Sequence, residues 1–311
     1  MFILALLLMA GFVLFLLLCY VAFRIACIRS NPSDKVKETL GAMKEFEPWR
    51  ERFANARNTL KNVESEPIYI KSFDGLLLHA KLIKGTRPDR LLIFMHGYRS
   101  SYYSDFSVSL EFYKSLGFNI LLVDQRAHDK SDGRYISYGI LEKFDCRNWI
   151  DKGIEIFGKD VKIVLGGISM GASTVMMASG LQLPTNVKAI IADCGFTSPY
   201  DIVYLTSKKI NRYMPKFMID MINFFCRVFG GFDLKEDNTA TALSSTDIPV
   251  MFIHGTNDDF VPCEMTKRNF EVCASEKELL MVPKATHGTA FLYAEERYKE
   301  RLSAFVKKYV N

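Results

Sequence analysis

The sequence predicts an α/β protein: an open, largely parallel sheet with helices on both faces. Three observations predict it. Short apolar runs alternate with helical stretches along most of the chain. The runs RLLIFM (residues 90–95) and PVMFI (249–253) are apolar throughout, as strands covered on both faces are. Polar clusters follow the strands directly: His96-Gly97, Ser169, Asp258 and His287. Ligands of such sheets sit at the carboxyl ends of the strands.

Residues 2–23 carry no charge, a length that crosses a bilayer core as a helix. No Lys or Arg precedes the run and no small-residue cleavage site follows it, so residues 1–27 read as an uncleaved single-pass anchor. Arg24, Arg29, Lys35 and Lys37 follow at once, and the positive-inside tendency then puts the domain that follows in the cytoplasm. Residues 28–66 read as a linker. A helical stripe within it (Leu40, Met43, Phe46, Trp49, Phe53) suits a helix packed on the domain surface.

Residues 67–311 hold the α/β domain. Residues 68–71 and 76–84 read as two strands joined at Asp74-Gly75, a strong hairpin signal. Strand 90–95 follows, then helix 106–116, strand 119–123 and helix 141–157. Strand 161–165, a tight turn and helix 172–179 come next. Strands 189–192, 249–253 and 279–282 and a closing helix over 293–309 complete the series.

Composition excludes several classes. The chain has 311 residues, 49% hydrophobic and 24% charged, enough for a sizeable core. Net charge is +5 and scattered, which gives no nucleic-acid footprint. The seven cysteines form no C-x-x-C pair and read as free, mostly buried thiols. Metal-binding and nucleotide-binding motifs are missing, so no metal and no cofactor is expected.

The turn after strand 161–165 is Gly167-Ile168-Ser169-Met170-Gly171, a G-x-S-x-G. A serine on a strained strand-to-helix turn projects its oxygen above the sheet, and the glycines let strand and helix approach. A serine hydroxyl needs a base. Of five histidines, His287 lies in a loop between the last strand and the last helix, where the base falls in the chain order Ser, Asp, His. His96 and His254 end apolar strands and read as structural. His79 sits in a hairpin strand, and His128 is loop-borne and early in the chain. The base needs an acid to fix its tautomer. Asp258 fits the spacing H-G-x-x-D-x-x-V-P, with Asp259 and Asp193 as alternatives. An oxyanion hole needs two donors: the N–H of Met170, following the nucleophile, and the N–H of Tyr98, in the loop after strand 90–95.

The motifs HGYRSS, DQRAHDKS, GISMG, HGTNDDFVP and ATHG together resemble the α/β-hydrolase superfamily over roughly residues 68–310. Within it the chain resembles membrane-anchored bacterial hydrolases grouped with serine-aminopeptidase-like and lysophospholipase-like esterases. The resemblance implies the α/β-hydrolase fold, with nucleophile, acid and base on Ser169, Asp258 and His287 and oxyanion donors on Tyr98 and Met170. Relatives usually read D-x-R-G-H-G-x-S in the second motif. This chain has Ala127 and Asp129 where those glycines stand.

The resemblance implies a serine esterase acting on small-molecule or lipid esters. The alternatives are a peptidase or amidase on the same fold, and a catalytically silent membrane scaffold. Between residues 198 and 246 the strand–helix alternation stops. Residues 200–229 are helical with a break at Pro215, and an insertion there reads as a lid. Met214, Phe217, Met218 and Met221, with Phe225 and Phe229, share one face, flanked by Lys208, Lys209, Arg212, Lys216 and Arg227. The stripe is either an adaptable acyl-binding surface, with the first four residues against substrate, or packing against the sheet domain.

Overall fold

A computed structural model describes residues 2–29 and 44–310. Helix α1 (Phe2–Cys27) comes first, apolar and long enough to cross a membrane. A 3-10 turn (Lys44–Trp49) and α2 (Arg50–Asn62) follow. Of the stripe expected over the linker, Leu40 and Met43 lie outside the described residues. Trp49 packs on Tyr293 with ring centroids 4.7 Å apart, and Leu60 is fully buried, so this helix does lie on the domain.

The sheet has eight strands: β1 (Glu66–Lys71), β2 (Leu77–Ile83), β3 (Arg90–Met95), β4 (Asn119–Asp124), β5 (Lys162–Ile168), β6 (Val187–Asp193), β7 (Val250–Gly255) and β8 (Lys277–Val282). Their order is β1-β2-β4-β3-β5-β6-β7-β8. The β1–β2 hairpin turns at Gly75, whose φ is +88°, and β2 also runs antiparallel to β4. Every other pairing is parallel. Strands β3, β4 and β7 are buried along their whole length, which is why their sequences do not alternate.

Helices α5 (Glu142–Phe157) and α6 (Met170–Ala178) cover one face. Helix α11 (Glu295–Val310) and the short segments α3 (Tyr102–Asp105) and α4 (Leu110–Ser115) cover the other. The helix expected over 106–116 starts earlier and is broken. The Asp105 carboxylate accepts from the Gly97 N–H at 2.7 Å and from the Ser100 hydroxyl at 2.6 Å, which ties the first turn to the preceding loop. Between β6 and β7 lie α7 (Pro199–Ile210), α8 (Lys216–Phe225), a single wide turn (Cys226–Gly230) and α9 (Thr239–Leu243). Pro215 stands at the N-terminus of α8 in extended backbone, which separates α7 from α8. Helix α10 (Cys263–Val272), between β7 and β8, was not anticipated. Its apolar residues are few and its start is marked only by Pro262.

Candidate active site

Ser169 joins β5 to α6 with φ 55° and ψ −117°, a left-handed conformation that costs energy for a residue with a Cβ. Two glycines make the turn possible. A Cβ at Gly171 would stand 1.9 Å from the Met95 carbonyl oxygen, and one at Gly167 would stand 2.3 Å from the Gly171 carbonyl carbon. The strand, the turn and β3 therefore close around a side chain held in one place. The Ser169 N–H donates to the Asp193 carbonyl at 2.9 Å, and the Ser169 carbonyl accepts from Ser173 N–H at 3.0 Å.

His287, in the loop after β8, donates from Nδ1 to Asp258 Oδ2 at 2.7 Å. That leaves Nε2 as the ring atom open to a substrate. The other Asp258 oxygen accepts from the N–H groups of Phe260 and Val261, both at 2.8 Å. His254 adds a contact that the sequence reading missed. Its Nε2 donates to Asp258 Oδ2 at 3.0 Å and lies 2.9 Å from the Val261 carbonyl, while its Nδ1 accepts from the Thr266 hydroxyl at 2.6 Å. Burial works to raise the Asp258 pKa. The hydrogen bonds and charges of His254 and His287 outweigh it and hold the carboxyl well below the usual carboxylate range. Asp259 points to solvent. The Asp193 side chain is buried beneath this pair, and one of its oxygens has no hydrogen-bond partner.

The backbones of Ser169 and Gly288 both approach the Cys194 thiol, which brings the serine turn and the His287 loop together. Among the described residues the Ser169 hydroxyl makes no hydrogen bond to His287. Catalytic hydrogen bonds are commonly long or misaligned before substrate binds.

Gly97 lies against Ser169: a Cβ built on it would stand 3.4 Å from the Ser169 Cβ. The Gly97 N–H is already committed to Asp105. The next N–H, of Tyr98, and that of Met170 donate to no protein acceptor among the described residues. The loop is held from behind. His96 accepts from the Gln125 N–H at 3.2 Å and donates to the Gly97 carbonyl at 2.8 Å. His128 accepts from the Arg99 N–H at 3.0 Å. Burial pushes the His128 pKa down to about 4, which keeps its ring neutral and able to accept. His79 is buried and paired with Asp124 at 2.7 Å, away from Ser169. Ala127 and Asp129 have φ of 61° and 39°, the left-handed region that glycine adopts at least cost.

The Tyr98 side chain turns away from the sheet. Its hydroxyl donates to the Ala26 carbonyl at 2.7 Å, and its ring stacks on Tyr138, whose own hydroxyl donates to the same carbonyl at 2.9 Å. The last turn of α1 is thus seated beside the serine turn. The stripe on α8 has a neighbour that neither sequence reading included, namely α1. Phe217 is exposed to solvent and packs on Phe15 at 5.8 Å, and Phe225 and Phe229 pack on Tyr20 and Phe23. Met214, Met218 and Met221 are half-buried, and Ile219, Ile222 and Cys226 face inward to the cluster that holds Met170 and Phe196. A cavity of about 560 Å³ lies between α7, α9 and α10, lined by Thr197, Tyr200, Leu234 and Arg268, away from Ser169 and His287.

Cys194, Asp258 and His287 bring three donor atoms within 4.8 Å of one another, the spacing of a metal site. The set suits a metal poorly. Asp258 and His287 are spent on each other, and burial raises the Cys194 pKa far above the usual thiol range.

The profile of the alpha/beta hydrolase fold family matches residues 90–244. The chain belongs to the α/β-hydrolase superfamily. Among its relatives, this hydrolase-fold chain is 26% identical to the uncharacterized protein YqkD of Bacillus subtilis, over 63% of this chain and 65% of that protein. It is 24% identical to protein bem46 of Schizosaccharomyces pombe, over 74% and 73% of the two chains. The chain thus spans less than two thirds of YqkD. Among solved structures, an esterase of Pyrococcus furiosus superposes with a TM-score of 0.62 at 24% identity, covering 80% of this chain and 92% of that one. Est1E of Butyrivibrio proteoclasticus, solved with ferulic acid bound, gives a TM-score of 0.60 at 18% identity over 78% and 99%. These likenesses fix the fold.

Proposed function

We propose that this chain is a membrane-anchored serine hydrolase that cleaves carboxylic esters of acyl or lipid-like substrates. The observation that carries this reading is the 2.7 Å bond from His287 to Asp258 beside a serine held at φ 55°. Ser169 attacks the ester carbonyl while His287 takes its proton at Nε2, and the new O–C bond gives a tetrahedral oxyanion. The N–H groups of Tyr98 and Met170 receive that charge. His287 returns the proton to the leaving alcohol as the C–O bond breaks, leaving an acyl-serine. Water, deprotonated by His287, then cleaves it and restores Ser169. Asp258, kept ionised by its donors, stabilises the imidazolium. The solved neighbours include esterases and an acylaminoacyl peptidase, so the choice of ester over amide rests on the ester test below. The helices α7 and α8 act as the lid, with Met214, Met218 and Met221 on its substrate side. Helix α1 is the anchor.

The test is labelling of the full chain by a fluorophosphonate probe, with hydrolysis of short p-nitrophenyl esters measured alongside. Wild type is expected to label and turn over, and Ser169→Ala to do neither. Equal hydrolysis by the two proteins would remove Ser169 from the mechanism.

A further inference from the structure

Helix α1 fixes a depth scale for everything packed against it. Its first charge is Arg24, and the carbonyls beyond it are claimed by polar groups: Arg99 donates to those of Ile25 and Ile28, Tyr98 and Tyr138 to that of Ala26. This ring of Arg and Tyr marks the level at which polar surroundings begin. Phe15 lies nine residues toward the apolar end, about 13 Å further along the axis at 1.5 Å per residue. Helix α8 and the wide turn after it run beside this same stretch, from Phe217 on Phe15 to Cys226, whose sulfur is 3.6 Å from that of Cys27.

An apolar helix whose polar boundary is at Arg24 has Phe15 inside the hydrocarbon. Phe217, 5.8 Å from Phe15, is then at a similar depth. The surface of this region suits that position. At the α7–α8 turn Ile210 is 82% and Tyr213 85% exposed, and Phe224 and Val228 on the outer side of the following turns are also exposed. Three cations near the turn lie back along aromatic rings, Lys208 and Lys216 over Tyr204 and Lys209 over Phe260, while Arg212 is exposed in the turn itself, where its long side chain lets the guanidinium turn back to the headgroups. Phe260 in turn rests against the His287 ring at 5.0 Å. Apolar tip, basic collar and catalytic histidine therefore follow one another in that order.

We propose that the α7–α8 turn and the outer face of α8 insert into the bilayer leaflet that α1 enters, so that the Phe260–His287 edge lies at the lipid surface. The occupant of this apolar face is a lipid leaflet. The depth, on the order of 10 Å, is that of an interfacial helix, and the collar meets anionic headgroups. This rests on the reading of α1 as a membrane anchor and of Ser169 as the nucleophile. It deepens that reading by naming the substrate as an ester whose acyl chain is still in the membrane when it reaches the site.

The test uses the full chain in vesicles of phosphatidylcholine and phosphatidylglycerol, with or without lipids brominated on the acyl chain. Tryptophan is introduced singly as Tyr213→Trp or Phe224→Trp, with Leu14→Trp in α1 and Tyr69→Trp on the edge strand β1 as references. The expected result is loss of roughly half of the added emission at positions 213, 224 and 14, and none at 69, as acyl-chain depth requires. Quenching at 14 but not at 213 or 224 overturns the proposal, and so does absence of quenching at all four. A second arm compares Tyr213→Glu/Phe224→Glu with wild type on a long-chain ester in vesicles and a short soluble ester. A loss of roughly tenfold confined to the vesicle ester is expected, and equal rates on both esters overturn it. If wild type hydrolyses neither ester, the hydrolase reading falls while the quenching still decides the insertion.

Discussion

His254 donates to the same Asp258 oxygen as His287, at 3.0 Å against 2.7 Å, so one carboxylate oxygen serves two imidazoles. Only His287 reaches toward the serine turn. His254 is fully buried and its other nitrogen is taken by Thr266, so it has no route to a substrate. In the proposed mechanism it acts through Asp258, as a positioning residue. His254→Leu removes one donor from the carboxylate and frees its rotamer. We expect kcat to fall about tenfold, some 1.4 kcal/mol, with KM little changed. The acid limb of the pH–rate profile should move up as Asp258 becomes easier to protonate. His254→Gln, which restores an N–H donor, should recover part of the loss. A change in KM alone, with the pH profile fixed, would make His254 merely structural.

Asp258 and Asp259 are neighbours in sequence with opposite environments. Asp258 receives hydrogen bonds from two rings and two backbone N–H groups, whereas Asp259 is exposed. Asp258→Asn loses the acceptor that fixes the His287 tautomer, and kcat should fall on the order of 10⁴-fold. Asp259→Asn should leave kcat within about twofold of wild type, as surface changes do. Ester hydrolysis by the two purified variants decides the assignment.

Arg126 holds the sheet's antiparallel edge to its helical cover. Its guanidinium donates to both oxygens of Asp145 on α5 at 2.6 and 2.7 Å, and to both oxygens of Asp74 in the β1–β2 turn at 2.9 and 3.1 Å. The Arg126 and Asp145 side chains are buried. Arg126→Met strands the Asp145 charge and should cost about 3–5 kcal/mol, read as a lowered midpoint in urea unfolding. Arg126→Met/Asp145→Leu should regain most of it, because the isolated charge is then gone. A double variant no more stable than the single one would show that the fork to Asp74 matters more.

Much of this was legible in the sequence because it is written locally. The strand runs, the Asp74-Gly75 turn and the G-x-S-x-G each carry their conformation within a few residues, and all fall where expected. Asp258, rather than Asp259 or Asp193, faces His287, and the H-G-x-x-D spacing had pointed that way. What was not legible depends on who packs against whom. The aromatic stripe of α8 has the same period whether it meets a substrate, a sheet or another helix, and only the fold shows Phe217, Phe225 and Phe229 on α1. His254 looked structural because nothing in a strand end announces that its ring will share a carboxylate. Asp105 lies just before the helix expected over 106–116, and nothing local assigns it a role. Its side chain instead reaches back to the Gly97 N–H, eliminating that group and leaving Tyr98 as the available donor.

Asp193 supplies the pH dependence of the fold itself. Burial pushes its pKa up to about 7, against the partial counterweight of His254 and His287 and with Asp258 adding to the rise. Cys194, Tyr113 and Tyr298 are the other titratable groups around it. In the unfolded chain an aspartate titrates near 4, so between about pH 4 and 7 the folded state binds the extra proton. Stability from this group is therefore full below about pH 4 and is lost as pH rises through 7. Asp258 has the opposite sign, and its contribution is lost only in acid, below the ordinary carboxylate range. The two windows are separate. Asp193→Asn keeps the side-chain shape and the carbonyl that accepts from Ser169 N–H, and it removes the charge. The wild-type melting temperature should fall from pH 5 to pH 8 and that of Asp193→Asn should fall less, a difference on the order of 2 kcal/mol at pH 8. Thermal unfolding of both proteins across that range reads it directly. Parallel curves would mean that Asp193 keeps its charge in the folded protein and that the histidines above it compensate fully.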